Sequence, residues 1–234
     1  MNPAHRLIEN LQSEAGFDHS VERFEVLETH ISWVLLTGPW AYKIKKPVNL
    51  GFVDFSTLDK RRHYCLEELR LNRRLAPELY VAVRAITGTP ESPRIGPEIS
   101  ADDPSRGVVE SGDVLDYAVQ IHQFRQDQLA ASALDRQEIA PRHWDRLAVD
   151  VARFHAAADC APPGSRLGSR EVVARFMREN FHELLAADLG GEFAQALRDL
   201  NDWTEAQLEA AAPLLARRQA QGFVREGHGD MHLG

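Results

Sequence analysis

Short segments in which apolar and polar positions alternate dominate the chain from Phe24 to about Phe124. They are rich in Val, Ile, Tyr and Trp, are separated by clusters of Gly, Pro or Asp, and read FEVLETHISWVLLTG, WAYKIKK, LYVAVRAITG and VLDYAVQIHQF. Alternation with a period of two residues is typical of β-strands that bury one face. The pattern therefore predicts a strand-rich N-terminal half.

One helix is predicted inside this strand region, from the segment FSTLDKRR to about Leu75. Ser56 is expected to cap its first turn, because Asp59 follows three residues later in a pattern that resembles a capping box. Pro77 marks the end of the helix. The polar segment of residues 88–113, which is rich in turn-forming residues, is expected to be an exposed loop.

After Phe124 the apolar positions recur with a helical period instead. Three segments carry this period and read WDRLAVDVARFHAAA, SREVVARFMRENFHELL and EFAQALRDLNDWTEAQLEAAA. The last of these helices is expected to break at Pro213, because proline removes a backbone donor. A strand-rich half with one helix, followed by a helical half, indicates an α+β protein.

Composition narrows the classes of function. The chain has 234 residues, of which 44% are hydrophobic and 26% are charged, as in an ordinary globular protein. The net charge of -8 argues against nonspecific binding to nucleic acid, which depends on many contacts of Lys and Arg to phosphate. No stretch approaches the roughly 18 apolar residues of a membrane span, and the N-terminus lacks the apolar run of a signal peptide. Because the 2 cysteines cannot form a disulfide framework, we expect a cytoplasmic protein.

Lys43 is a candidate ligand-binding residue in the predicted strand WAYKIKK. Side chains alternate along a strand, so Lys43 projects opposite to Tyr42 and Ile44. Lys45 and Lys46, at the end of the strand, are expected to be solvated. A lysine within an apolar strand needs anionic partners, and phosphate oxygens together with a carboxylate would satisfy it. A lysine that faces water on an edge strand is the alternative interpretation.

Glu68 is the predicted carboxylate partner of Lys43. It shares one face of the predicted helix with Tyr64, Leu71 and Leu75. Glu68 therefore lies in an otherwise apolar stripe that is expected to pack on the sheet. Glu67 points about 100° away, among basic residues, as is typical of a surface ion pair. Because a carboxylate that faces a sheet requires a cation, we predict an ion pair between Lys43 and Glu68.

The C-terminal segment REGHGDMHLG concentrates groups that bind metals or transfer protons. The candidates, at every second position, are His228, Asp230 and His232. Gly227 and Gly229 allow a tight turn around the acid, and a carboxylate on such a loop can accept the proton of an attacking hydroxyl. His228 would then hold the loop by hydrogen bonds. Ligation of zinc or iron by the three side chains is one alternative, and a polar loop without chemistry is another.

The segment HGDMHLG resembles the catalytic loop of the aminoglycoside phosphotransferase family, small-molecule kinases with a protein-kinase-like fold. Residues 40–80 resemble the N-lobe of bacterial proteins in which such a domain precedes a P-loop ATP-binding domain. The similarity covers roughly residues 28–234. It implies a two-lobe fold, with a nucleotide-binding N-lobe over residues 1–123 and a helical C-lobe over residues 124–234.

The resemblance also implies roles for single residues. Lys43 corresponds to the strand lysine that binds the nucleotide phosphates, Glu68 to its helix partner and Asp230 to the catalytic base. The segment QIHQF would form the hinge whose backbone meets adenine, which makes Gln123 and Phe124 candidate cofactor-binding residues. The implied reaction transfers a phosphoryl group from ATP to a hydroxyl of a small molecule.

Parts of the family pattern are absent from the sequence. The Asn after the catalytic loop and the later Asp, which bind Mg²⁺ in the family, would follow Gly234, and no GxxxxGK[ST] segment occurs. We therefore expect a truncated phosphotransferase domain whose magnesium ligands and covalently linked P-loop domain belong to a longer protein. A nucleotide-binding module without catalytic activity is one alternative, and a metal-dependent hydrolase that uses the His-x-Asp-x-His cluster is another.

Overall fold

The computed structural model of the protein describes residues 3–100, 114–186, 190–229 and 231. Within these residues the chain forms two compact units, and the division falls between Ile139 and Ala140. The α+β class is confirmed, because the first unit contains a six-stranded sheet and the second contains helices. A 3₁₀ helix (Gln126–Gln128) follows the proposed lobe boundary at residue 123 and belongs to the first unit.

The first unit is built on an antiparallel sheet. Its helices are α1 (Pro3–Leu11), α2 (Leu58–Asn72) and α3 (Ala130–Asp135), and its strands are β1 (Glu25–Glu28), β2 (Ser32–Leu36), β3 (Trp40–Lys45), β4 (Tyr80–Thr89), β5 (Ser92–Ile99) and β6 (Val114–His122). The strand order is β1-β2-β3-β6-β4-β5, so β6 lies between β3 and β4. The apolar segments identified in the sequence correspond to every strand except β5.

The two faces of the sheet carry separate apolar cores. On one face, the fully buried side chains of Tyr42 and Ile44 in β3 belong to the core that includes α1. On the other face, Val119 of β6 packs in a core with Cys65 and Leu69 of α2. Burying one such aliphatic or aromatic side chain stabilises the fold by about 1.5–3 kcal/mol. The second core therefore holds α2 against the sheet.

Helix α2 is capped by a different residue from the one that the sequence indicates. The cap is Thr57, whose hydroxyl oxygen accepts a hydrogen bond from the Lys60 N–H at 3.3 Å. Ser56 instead donates its hydroxyl to Asp54 at 2.6 Å, so the predicted Ser56 cap is wrong. The helix ends at Asn72, slightly before its predicted end.

The buried stripe of α2 also differs from the predicted one. Arg61, Cys65 and Leu69 are the buried residues of the helix. Tyr64 is 38% exposed and Leu75, which lies beyond the helix, is 42% exposed. The buried face of α2 includes an arginine, so a search for apolar residues at helical spacing does not identify it.

Arg61 is buried because Asp116 of β6 compensates its charge. The guanidinium Nε donates to both carboxylate oxygens at 2.8 and 3.0 Å, and Nη1 donates to the Phe55 carbonyl at 3.1 Å. The Tyr117 N–H also donates to Asp116 at 2.8 Å. Burial raises the pKa of Asp116, although the guanidinium opposes this shift. The pair ties the first turn of α2 to the centre of the sheet.

Strand β5 lies in a segment that was expected to be a loop. It pairs with β4 although it contains Pro93 and Pro97. Because β5 is an edge strand of the described sheet, a proline that lacks an N–H need not interrupt a ladder on its outer side. The prediction of an exposed loop is wrong for β5, and residues 101–113 of the same segment lie outside the described residues.

The second unit contains helices α4 (Pro141–Ala157), α5 (Arg170–Ala186) and α6 (Gly191–Ala220). Helices α5 and α6 pack together, and the Arg178 guanidinium donates twice to the Glu205 carboxylate at 2.6 Å. Helix α6 continues through Pro213, so the predicted break is wrong. The φ angle of proline fits a helix, and its missing N–H removes a single backbone hydrogen bond from this long helix. In the described parts of the chain, every helix is too short or too polar to cross a membrane.

Candidate functional site

The predicted ion pair between Lys43 and Glu68 is confirmed. Lys43 lies on the face of β3 that α2 covers, opposite to the buried Tyr42 and Ile44. Its ammonium donates a hydrogen bond to Oε1 of Glu68 at 2.8 Å. The pair joins a strand to the helix that follows it, as the sequence pattern predicts.

Lys45 is a third member of this group of charges. Its ammonium donates to Oε2 of Glu68 at 2.6 Å and lies 4.8 Å from the centre of the Phe55 ring. The Lys45 side chain is only 6% exposed, so the prediction that it is solvated is wrong. Lys43 and Lys45 are two residues apart on one strand and therefore share a face, a signal that the sequence already contained. We call Lys43, Glu68 and Lys45 the lysine–glutamate cluster.

Lys46 is also less exposed than expected. Its side chain is 14% exposed, and its ammonium donates to the Glu28 carboxylate at 2.5 Å. The ammonium lies 5.1 Å from the centre of the Trp33 ring. Lys46 therefore has its own carboxylate partner, separate from Glu68.

Charge interactions outweigh burial at both ends of the Lys43–Glu68 contact. Burial favours the neutral amine of Lys43, but the charge of Glu68 and the hydrogen bond to it raise the pKa of Lys43. Burial also favours the neutral carboxyl of Glu68, but the ammonium groups of Lys43 and Lys45 lower the pKa of Glu68. Burial raises the pKa of the nearby Cys65 thiol to about 12, so this thiol adds no charge at neutral pH. With two ammonium groups and one carboxylate, the lysine–glutamate cluster carries an excess positive charge.

Glu67 has the surface role that its helix position predicts. The Arg70 guanidinium, one turn along the helix, donates to Glu67 at 2.8 Å, and both side chains are exposed. Neighbouring glutamates on α2 therefore have different environments, because successive helical positions point about 100° apart.

Glu68→Gln is expected to remove a contribution to the stability of the fold that is present at neutral pH and is lost in acid. The folded-state pKa of Glu68 is lowered, so its contribution is complete above the ordinary value of 4.5 and is lost as the pH falls through the folded-state pKa. Thermal unfolding midpoints measured from neutral pH to about pH 3 provide the test. The difference between wild type and Glu68→Gln should be largest at neutral pH and should shrink in acid.

Glu67→Gln is the matched control for this measurement. Its exposed pair contributes only about 0–1 kcal/mol, so the midpoint should change little at any pH. Equal and parallel losses from Glu67→Gln and Glu68→Gln would contradict the assignment of the two helix faces.

An apolar part of the same sheet face adjoins Lys43. In the sheet register Val34 lies opposite Lys43, while Leu36 and Ile121 lie opposite Ala41. Residues paired across antiparallel strands share a face, and Ala41 is two positions or roughly 7 Å from Lys43 along β3. A cavity of about 420 Å³ opens beside Leu36. A flat apolar group bound on this surface would lie close to the Lys43 ammonium.

The segment proposed as a hinge leads out of the central strand. The Gln123 N–H donates to the Pro39 carbonyl at 3.1 Å, and its side-chain oxygen accepts a hydrogen bond from the Gly38 N–H at 3.0 Å. These bonds tie the hinge to the turn between β2 and β3, and all three residues line the cavity. Phe124, the next residue, is 38% exposed. Gln123 therefore shapes the cavity through its side chain, a contact that sequence reasoning did not anticipate.

The segment that precedes the C-terminal motif is anchored to the end of α4. Backbone hydrogen bonds of 2.9 Å join Val224 to Ala161 and Glu226 to Asp159. Between them, the Arg225 guanidinium donates to two carbonyls at the end of α4, at 2.9 and 2.8 Å. A cation stabilises the carbonyl end of a helix, so Arg225 holds the start of the motif against α4.

The structure describes only part of the C-terminal motif REGHGDMHLG. His228 is exposed, and Gly229 has a φ of +79°, in the left-handed region that favours glycine, as the predicted tight turn requires. Asp230 and His232 lie outside the described residues, so the catalytic role of Asp230 and the metal-ligand alternative remain predictions. Within the described residues, no three His, Cys, Asp or Glu side chains are grouped so that they could hold a metal ion.

Comparison with known proteins gives relatives but no family. No model of a known protein family matches the chain, and no solved structure matches it. Curated proteins that are similar to it include uncharacterised proteins of Mycobacterium bovis and of two strains of Mycobacterium tuberculosis. Each is 29% identical over 207 residues, which cover 88% of this chain and 37% of the relative. The chain thus spans little more than a third of the length of these relatives, which carry no stated activity.

Proposed function

We propose that the first unit binds ATP through Lys43, and that the chain acts with Asp230 as a phosphotransferase on a hydroxyl of a small molecule. The main support for this proposal is the ion pair between Lys43 and Glu68, whose nitrogen and oxygen atoms are 2.8 Å apart. Protein kinases require such a pair between a lysine of their third strand and a glutamate of the following helix. In this chain Lys43 lies on β3 and Glu68 on α2, the next helix.

The surroundings of the pair support a nucleotide as the ligand. The lysine–glutamate cluster has an excess positive charge that suits phosphate oxygens. Leu36 lies opposite Ala41, which is two positions from Lys43, and Leu36 and Gln123 line a cavity whose other lining residues include Glu22 and Arg23. A base and ribose could bind in this cavity. Phosphate and base would thus contact neighbouring parts of one sheet face. We place this activity in the cytoplasm, where ATP is available.

Each residue would have a distinct task in the reaction. Lys43 would hold the phosphate oxygens in place, and Glu68 would fix the Lys43 side chain in the position that reaches them. Asp230 would accept a hydrogen bond from the acceptor hydroxyl, orient it and take its proton as the new bond forms. His228 would hold the loop that carries Asp230. Among the described residues, no group of three or more His, Cys, Asp or Glu side chains could hold the Mg²⁺ that such enzymes use, so no task is assigned to the metal here.

Calorimetric titration of the protein with ATP and with adenosine tests the binding half of the proposal. ATP is expected to bind weakly, with little dependence on magnesium, and Lys43→Met should weaken ATP binding because the phosphates lose their ammonium partner. Adenosine, which has no phosphate, should bind wild type and Lys43→Met equally well.

The control is Lys46→Met, because the ammonium of Lys46 is paired with Glu28 instead of Glu68. This variant should bind ATP as wild type does. A folded wild-type protein that binds no ATP would remove the proposed function, and so would ATP binding that Lys43→Met leaves unchanged.

A further inference from the structure

The carboxylate of Glu68 is shared between two lysines that differ in their access to solvent. Lys43 contacts Oε1 at 2.8 Å and Lys45 contacts Oε2 at 2.6 Å. The Lys43 side chain is 31% exposed, whereas that of Lys45 is 6% exposed. Only Lys43 is accessible enough to meet a ligand from solvent.

Lys45 is held in place by more than its ion pair. Its ammonium lies over the ring of Phe55, which is itself buried, at 4.8 Å from the ring centre. The Phe55 carbonyl accepts a hydrogen bond from the buried Arg61, so this wall of the site is tied to the Arg61–Asp116 pair. Moving the Lys45 side chain to another position would therefore disturb the contacts that bury the first turn of α2.

A buried carboxylate that has a single cationic partner loses stability when that partner moves away. Glu68 is 12% exposed, and a buried carboxylate without a cation is strongly destabilising. If Lys43 were its sole partner, binding of Lys43 to phosphate would compete with its bond to Glu68. The second ammonium would relieve this competition, because Lys45 on Oε2 keeps Glu68 compensated and in place while the Lys43 ammonium, still beside Oε1, also donates to a ligand.

We infer that the lysine–glutamate cluster divides two tasks: Lys45 is a positioning residue that permanently compensates Glu68, and Lys43 is free to bind a polyphosphate anion. This inference rests on the proposed function for the nucleotide, but the division of tasks can be measured without ATP. The ligand would be a di- or triphosphate, because the excess positive charge of the cluster suits phosphate oxygens and Lys43 is its exposed member.

The first test compares the unfolding temperatures of Lys43→Met and Lys45→Met without ligand. Methionine keeps most of the length of the side chain and removes its charge. Lys43→Met should leave the midpoint almost unchanged, because Lys45 still compensates Glu68. Lys45→Met should lower the midpoint by several degrees or prevent folding. Equal losses, or a larger loss from Lys43→Met, would overturn the division.

A double variant separates charge from packing in this test. If Lys45→Met acts by leaving Glu68 poorly compensated, then adding Glu68→Gln should recover a large part of the lost midpoint, because a neutral amide needs no counter-ion. If the double variant is no more stable than Lys45→Met alone, the loss comes from packing and the inference is wrong.

The second test measures binding of inorganic tripolyphosphate by calorimetry. In Lys45→Met, Lys43 becomes the sole partner of Glu68, so affinity should fall by about tenfold although Lys45 is too buried to touch the ligand. Lys45→Arg, which keeps the charge, should restore most of the affinity, and Lys46→Met should bind as wild type does. Wild-type affinity in Lys45→Met would overturn the inference.

The outcomes distinguish this inference from the proposed function. Tripolyphosphate binding that depends on Lys45, without binding of ATP or adenosine, would support the division of tasks and remove the nucleotide function. ATP binding that depends on Lys43 but is unaffected by Lys45→Met would support the function and overturn the division. A wild-type protein that binds neither anion would overturn both.

Discussion

In a longer chain that includes the Asn and the later Asp implied by the family resemblance, replacement of Asp230 by asparagine is expected to lower the rate constant for phosphoryl transfer by about 10²–10⁴ and to leave ATP affinity nearly unchanged. Asp230 would act on the acceptor hydroxyl in the transition state and would not contact the bound nucleotide. ATP consumption with a panel of small hydroxyl compounds, measured beside calorimetric ATP titration, provides the two quantities. A fall in affinity as large as the fall in rate would contradict this role.

The neighbouring histidines provide the control for this experiment. His228→Ala and His232→Ala should cost less activity than Asp230→Asn, because these side chains would hold the loop. If the three variants abolish activity alike, and a chelator does so without added magnesium, the motif is a transition-metal site and the phosphotransferase proposal is wrong. ATP binding without turnover of any acceptor would instead indicate a noncatalytic nucleotide-binding module.

Arg61→Met is expected to lower the free energy of unfolding of the first unit by about 3–5 kcal/mol, because it leaves the Asp116 carboxylate buried without its cation. Arg61 supplies three hydrogen bonds at 2.8, 3.0 and 3.1 Å, two to the Asp116 carboxylate and one to the Phe55 carbonyl. Urea unfolding, followed by the far-ultraviolet circular dichroism of the chain, measures the loss.

Arg70→Met is the matched control on the same helix. Its partner Glu67 lies on the exposed face of α2, so the loss should be only about 0–1 kcal/mol. A double variant, Arg61→Met with Asp116→Leu, should recover most of the stability, since apolar residues can replace a buried ion pair. Equal losses from Arg61→Met and Arg70→Met would contradict the role assigned to the buried pair.

Periodicity predicts most of the fold because most elements bury one face and expose the other. The alternation in WAYKIKK separates Tyr42 and Ile44, which are fully buried, from Lys43, which faces α2. On α2 the same reasoning separates Glu68 from Glu67, although the buried residues of the helix are Arg61, Cys65 and Leu69 and not the predicted stripe. These predictions are local, since each requires only the pattern of a single element.

The parts that sequence reasoning missed depend on contacts between elements. A buried Arg61 is compatible with α2 only because Asp116 lies opposite it on a strand 55 residues away in the chain. Strand β5 tolerates Pro93 only because it lies at a sheet edge. Lys45 was expected to be solvated because of its place at a strand end, but Glu68 and Phe55 enclose its ammonium.

The candidate site was likewise predictable in part. The Lys43–Glu68 pair follows from two faces that were each assigned from periodicity, so their meeting could be predicted. The third charge, Lys45, shares the face of Lys43 by the same alternation, but its enclosure by Glu68 and Phe55 depends on contacts between elements. The side-chain bond from Gln123 to the β2–β3 turn could not be foreseen, because it joins residues 85 positions apart.

Chemical labelling with an acyl phosphate derivative of ATP tests the central claim, that Lys43 contacts the phosphates of a bound nucleotide. Such a reagent transfers its acyl group to a lysine amine next to the phosphates, and mass spectrometry identifies the modified residue. Lys43 is expected to be modified, and excess ATP should suppress this modification while leaving that of exposed Lys60 unchanged. The absence of label on Lys43 while Lys60 is labelled, or label on Lys43 that ATP does not suppress, would contradict the claim.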